Sequence, residues 1–335
     1  MKAAVVEALH HPLRVDTVDD PTPAADEVII QVKRCGICGS DLHMLEEEAF
    51  GICPGDILGH EFAGEVMAVG AGAQTLKTGD LVSVSPLKSC GQCDACRAGE
   101  TAWCAEMQLQ GGGYGEFAAV AERQCVALPN DVSMADGAIV EPLAVALHGV
   151  NQSGIRAGDR VLILGAGPIG LATAFWARRR GAAQVVIQDI QIHQQARALE
   201  MGATHFIGPT DTPVDTARQM LGGFADVVFE CVGLPGLITQ ASECVKTKGK
   251  VVILGLCTKP DTLIPFDILS REICLQTSAF FTQQEYCASL DALAAGAAEP
   301  RHLITDTIAL DAVPVVFEAL KKRTHQCKVL IAHDK

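Results

Sequence analysis

The stretch Gly165-Ala166-Gly167-Pro168-Ile169-Gly170 stands between an apolar run, Arg160 to Leu164, and a segment of helical character, Ile169 to Arg180. A glycine-rich turn in that position constrains the fold strongly, because a strand must end and a helix begin within a few residues. The first glycine permits the tight turn, the second lets a ligand approach the backbone, and the third lets helix and strand pack closely. The helix N-terminus then offers unpaired N–H donors and a favourable dipole to a pyrophosphate. Asp189 closes the next apolar run, Val185 to Ile187, where its carboxylate can accept hydrogen bonds from a ribose diol. That charge repels a 2′-phosphate and residues 190–193 hold no arginine to receive one, so NAD is expected over NADP, with Arg197 leaving residual NADP use open. Further apolar runs, Val227 to Phe229 and Val251 to Leu254, alternate with helix-length segments, Gln191 to Met201 and Leu237 to Val245. The rhythm predicts a doubly wound parallel sheet.

Ahead of this region the chain reads as short strands and turns, including Val28 to Lys33, Phe62 to Val69 and Leu81 to Val84, and a last strand is expected over Cys327 to Ala332. With 335 residues the chain exceeds the usual size of one core, so two domains are expected. A formal net charge of −14 repels phosphate backbones, and basic clusters such as Arg178, Arg179 and Arg180 are short, so nucleic acid is not an expected partner. The longest apolar candidate is broken by Gly165, Gly167, Pro168 and Gly170, which excludes a membrane-spanning helix there.

Cys90, Cys93, Cys96 and Cys104 follow a C-x2-C-x2-C-x7-C spacing, which lets four thiolates converge on one ion. Four thiolates fill a zinc shell and leave no position for substrate, so this ion, in a lobe of about residues 89–104, is expected to be structural. The other readings are buried cysteines without a metal or a pair of disulfides. Ten further cysteines follow no framework and Met1 to Val5 carry no signal-peptide pattern, so a reduced, cytoplasmic protein is expected.

A second set is open. Cys38, in the turn Cys35 to Asp41, and His60-Glu61, about twenty residues later, offer a thiolate, an imidazole and a carboxylate. Three protein ligands with an exchangeable fourth position describe a catalytic zinc.

Taken in order, Gly36-Ile37-Cys38-Gly39-Ser40-Asp41, Gly59-His60-Glu61, the four cysteines, Glu141-Pro142-Leu143-Ala144 and the glycine motif resemble the zinc-dependent medium-chain alcohol and polyol dehydrogenases across essentially the whole chain. The resemblance implies an α/β protein: a GroES-like catalytic domain of residues 1–145 and 271–335 and a Rossmann NAD-binding domain of residues 146–270, with the active site in the cleft. It implies two zinc ions per subunit, the catalytic one held by Cys38, His60, Glu61 and Glu141. Ser40 and His43 fall at the family's proton relay, with a surface histidine as the other reading of His43, and Asp41 falls where a carboxylate orients His60. Gly165, Gly167, Pro168, Ile169, Gly170 and Asp189 match the cofactor site. The expected reaction takes hydride from a secondary alcohol or vicinal diol to NAD, giving the ketone.

Polyol dehydrogenation of the sorbitol or threonine type is the alternative, and a catalytically silent zinc- and dinucleotide-binding scaffold is the non-enzyme one. The Arg-Tyr pair of sorbitol-type enzymes is replaced by Gln276 to Thr282, and Met44 follows His43. Met44, Phe50, Phe280 and Phe281 are therefore expected to line an apolar pocket, or Phe280 and Phe281 a subunit interface. A homodimer or homotetramer is implied. Cys231 and Cys257 are expected as small core residues.

Overall fold

A computed structural model describes residues 1–322 and 325–333, and the elements below are those of the described residues. The chain divides into two compact units: Met1–Glu141 with Thr282–Ala297 and Ile304–Lys335, and Pro142–Phe281 with Ala298–Leu303.

The first unit carries strands β1 (Lys2–Val5), β2 (Arg14–Thr17), β3 (Glu27–Gly36), β4 (Glu61–Val69), β5 (Leu81–Val84), β6 (Leu87–Lys88), β7 (Gln108–Leu109), β8 (Phe117–Ala121) and β9 (Cys125–Ala127). The second carries β10 (Arg160–Leu164), β11 (Gln184–Gln188), β12 (His205–Ile207), β13 (Ala225–Glu230), β14 (Val245–Ile253) and β15 (Cys274–Thr277), after which β16 (Ile304–Ala309) and β17 (Lys328–Ala332) rejoin the first.

In the first unit Val28, Ile30 and Val32 of β3 alternate inward with Phe62, Val66, Val82 and Val84, the period-2 burial that fixes which face of a strand meets the core. The sheet runs β16-β17-β3-β4-β5-β9, with β8 pairing to β3. β3 lies antiparallel to both β17 and β4, and Gly36 pairs with Leu330 on one side and with Glu61 on the other. β3 thus carries the residues that precede Cys38 between β17 on one side and the residues that follow His60 on the other.

In the second unit six parallel strands follow the order β12-β11-β10-β13-β14-β15. Counted from β10 this is 3-2-1-4-5-6, the Rossmann order. Leu162, Val186, Val228 and Val251 are fully buried, as expected of strands covered on both faces. The sequence put the return to the first unit at residue 271, whereas Cys274–Thr277 is the sixth strand of this sheet and Thr282 begins the return. No helix of the described residues is long and apolar enough to cross a membrane.

Candidate functional site

Cys38 precedes the helix Gly39–Glu46 in extended backbone, and Asp41, three residues on, accepts a hydrogen bond from the Cys38 N–H at 3.0 Å. This reciprocal cap fixes the thiol-bearing turn. The other oxygen of the buried Asp41 lies 3.2 Å from His60 Nδ1, which leaves Nε2 directed elsewhere. Burial opposes charge on the Asp41 carboxyl, yet the His60 ring, the Tyr114 hydroxyl and the Cys38 N–H together hold its pKa below the carboxylate norm. Burial likewise works against a charged His60, and Asp41 raises its pKa well above that of an ordinary imidazole. An imidazole so paired is a stronger metal ligand.

His60 is presented by a turn that needs Gly59. Its φ is +86°, and a Cβ there would come within 2.3 Å of the Tyr114 ring. Tyr114 is fully buried and donates its hydroxyl to Asp41 at 2.6 Å. Ser40 Oγ donates to Cys38 Sγ at 3.1 Å and lies 3.4 Å from His60 Nε2. His43 sits further along the same helix, half exposed, with its Nδ1 3.7 Å from Glu47.

Glu61 is fully buried, and both of its oxygens accept from Lys328 Nζ at 2.6 Å. Lys328 also donates to the Ile37 carbonyl at 3.1 Å. Burial disfavours its charge, but Glu61 and, further off, Cys38 and Glu141 raise its pKa. A Cβ on Gly36 would stand 2.1 Å from Glu61 Oε2, so the Glu61 carboxylate can lie where it does only because Gly36 has no side chain. Glu141 opens the helix Val140–Ser153 and is buried; burial, with opposition from His60 and reinforcement from Glu61, pushes its carboxyl up to about 7.

One donor atom each from Cys38, His60 and Glu61 lies within 4.8 Å of the others, and Glu141 is not part of that group. Thiolate, imidazole and carboxylate are zinc donors, and the buried carboxylates Asp41, Glu61 and Glu141, near enough for the first two to act on the third, favour a divalent cation electrostatically. The residues fit zinc. The four cysteines also converge, with sulfur separations of 3.5 Å for Cys93–Cys96, 3.6 Å for Cys104–Cys90 and 3.9 Å for Cys90–Cys96. A tetrahedron with Zn–S bonds of about 2.3 Å has edges of about 3.8 Å, so these four thiols are spaced to share an ion.

In the second unit Gly165 has φ +101°, and a Cβ on Gly170 would stand 1.9 Å from the Gly165 carbonyl oxygen, which is why the third glycine lets the helix Pro168–Arg179 pack so near the turn. Asp189 accepts from the Ala166 N–H at 2.6 Å and the Gln191 N–H at 2.8 Å, so its carboxylate is fixed at the end of β11, beside the turn that carries Gly165, Gly167, Pro168 and Ile169. Arg197 donates to the His302 carbonyl at 3.0 Å and to Gln194.

Two sequence expectations are corrected. Phe281 is fully buried and is a core residue, so no open pocket wall includes it, whereas Phe280 is half buried with a φ of +58°. Cys257 is exposed, outside any core, while Cys231 is half buried. Sequence reasoning missed Lys328 and Tyr114. A lysine opening the otherwise apolar strand Lys328–Ala332, buried along its whole length, was the available signal for the first.

The class defined by this fold and these donors is confirmed by comparison. A family model described as "Alcohol dehydrogenase GroES-like domain" matches residues 24–130, and one described as "Zinc-binding dehydrogenase" matches residues 168–295. Sorbitol dehydrogenase of Bacillus subtilis (strain 168) is 30% identical over 346 residues, spanning 99% of this chain and 97% of that protein. (R,R)-butanediol dehydrogenase of the same organism is 33% identical over 338 residues, spanning 95% of this chain and 96% of that protein. Among solved structures, a putative zinc-binding dehydrogenase from Sinorhizobium meliloti 1021 bound to NADP has a TM-score of 0.90 and 35% identity, covering 99% of this chain and 98% of that one. The chain belongs to the zinc-dependent medium-chain alcohol and polyol dehydrogenases. It is an oxidoreductase of alcohols or polyols.

Proposed function

We propose that this chain oxidises a secondary alcohol or vicinal diol to the ketone with NAD, using one zinc at Cys38 and His60 and a second, structural zinc at Cys90, Cys93, Cys96 and Cys104. The observation that carries the reading is the convergence of Cys38, His60 and Glu61 beside buried Glu141. A zinc ion there supplies a Lewis acid that makes an alcohol easier to deprotonate, and nicotinamide supplies the hydride acceptor.

The chain's own residues do the rest. Asp41 orients His60 so that Nε2 is the ligand atom. Ser40 Oγ stands against Cys38 Sγ and His60 Nε2, within reach of an oxygen placed between them, and would accept the substrate proton while passing its own hydroxyl proton onward. His43, half exposed on the same helix, carries that proton outward. Glu61 or Glu141 would complete the metal's shell; burial raises the pKa of the Glu141 carboxyl, and a cation beside it favours the carboxylate.

Preference for NAD rests on Asp189, whose charge is fixed by two backbone N–H groups, and on Arg197, which is engaged by His302 and Gln194. The Sinorhizobium meliloti structure was bound to NADP, so the preference is a proposal for this chain and its own residues. We also propose a homo-oligomer formed along β15, an outer strand of the parallel sheet that follows a helix exposing Phe266 and Leu269.

The test is nucleotide reduction followed by absorbance across secondary alcohols, vicinal diols, cyclic alcohols and polyols, with NAD and NADP compared and a zinc-chelated control. Chelator-sensitive, NAD-preferring oxidation of a secondary alcohol or diol is expected. A preference for long polyols overturns the substrate reading, and activity that survives removal of zinc overturns the metal reading.

A further inference from the structure

Lys328 is a fully buried lysine whose ammonium meets both oxygens of Glu61, and Glu61 is one of the three donors that converge on the candidate metal position. Buried lysines are rare, and one placed beside a cation site is doubly unfavourable, since it must be desolvated and it repels the cation. Pure charge balance does not call for it, because zinc would neutralise Glu61 as well.

Three further features show that the contact is built. Gly36 is the only residue type that admits it, since a Cβ would stand 2.1 Å from Glu61 Oε2 and 3.2 Å from Lys328 Cδ. The Ile37 carbonyl takes a third contact from Nζ at 3.1 Å, which fixes the ammonium between β17 and the turn leading to Cys38. The pairing of β17, β3 and β4 sets Leu330 opposite Gly36 and Gly36 opposite Glu61, so Lys328, two residues before Leu330, reaches the glutamate past the side-chain-free Gly36.

We propose that Lys328 is a positioning residue that latches Glu61, drawing its carboxylate away from full coordination so that the metal keeps an exchangeable position. The inference rests on the open-zinc reading above. With both oxygens committed to Lys328, Glu61 binds a metal only by giving up part of a charge-assisted pair. The latch therefore lowers the site's affinity for zinc and in return preserves a place for the substrate oxygen.

This predicts a sign that a merely structural lysine does not. In full-length Lys328→Met, zinc alone is titrated back after a chelator has removed the exchangeable ion, with the four-cysteine lobe left loaded. The affinity of the exchangeable site is expected to rise about tenfold, the low end of what outer-shell changes do to metal sites. The melting temperature of the zinc-depleted chain is expected to fall, because Glu61 has lost its partner. A structural lysine gives a fall in both.

Lys328→Gln keeps one donor for Glu61 and is expected to show the same rise; it serves where the methionine variant does not fold. Glu61→Gln combined with Lys328→Met removes the carboxylate that the latch would free, so the rise is expected to disappear. A rise that persists in the double variant assigns the effect to the lysine charge alone and overturns the latch, as does unchanged or weaker zinc affinity in the folded single variants. If the parent has no exchangeable zinc, and only the four-cysteine ion is found, the open-zinc reading itself fails and takes the latch with it.

Discussion

Tyr114 reaches Asp41 across 73 residues of sequence, and Asp41 faces His60, so a phenol governs an imidazole from the far side of a carboxylate. Tyr114→Phe keeps the ring packed on Gly59 and against Phe317 but removes the hydroxyl. The rate at which exchangeable zinc passes to a chromophoric chelator is expected to rise by about tenfold, in line with other outer-shell substitutions. An unchanged rate would show that Asp41 holds His60 unaided. Cys38, His60 and the four-cysteine lobe were legible in the sequence because their chemistry is carried by residue type and by spacings of a few positions. Tyr114 and Lys328 were not, because their partners are 73 and 267 residues away and only the sheet register brings them together.

Single elements show where a charge holds a loop. Glu122, in the turn between β8 and β9, accepts from the N–H groups of Gln74, Thr75 and Leu76 at distances down to 2.7 Å. Burial raises its pKa, but the three donors outweigh that and bring it down to about 2. The folded pKa lies below the ordinary value of 4.5, so the stabilisation is complete above about pH 4.5 and fades as the pH falls toward 2. Glu122→Gln is expected to be less stable than the parent at pH 7 in urea denaturation, with the gap closing between pH 4.5 and 2. A gap independent of pH would mean that the amide geometry matters and the charge does not. Apolar runs bounded by turns marked β5 and β10 to the residue, whereas β15 was invisible as a sheet member. Its exposed Cys274 and Thr277 give it the pattern of an edge strand, in which burial on both faces no longer guides the reading.

Over the whole molecule, the Rossmann sheet followed from the glycine motif and the strand–helix rhythm after it, and the β-rich first unit from short apolar runs separated by turns, which are local signals with long-range consequences. The order of the strands around β3 was beyond sequence reading, because it depends on which distant segment pairs with which. If self-association runs along β15, Phe266→Asp combined with Leu269→Asp is expected to convert the oligomer to a monomer in sedimentation velocity while the four-cysteine zinc is retained. A variant that sediments as the parent does would move the interface elsewhere. The pairing of β17 with β3 also bears on how the protein is made. A ribosome delivers Cys38, His60 and Glu61 long before Lys328, so the nascent chain holds all three donors with an unrestrained glutamate. The carboxylate of Glu61 therefore meets its lysine partner only once β17 has been made and paired with β3, so a strand synthesised 267 residues later completes the surroundings of the early donors.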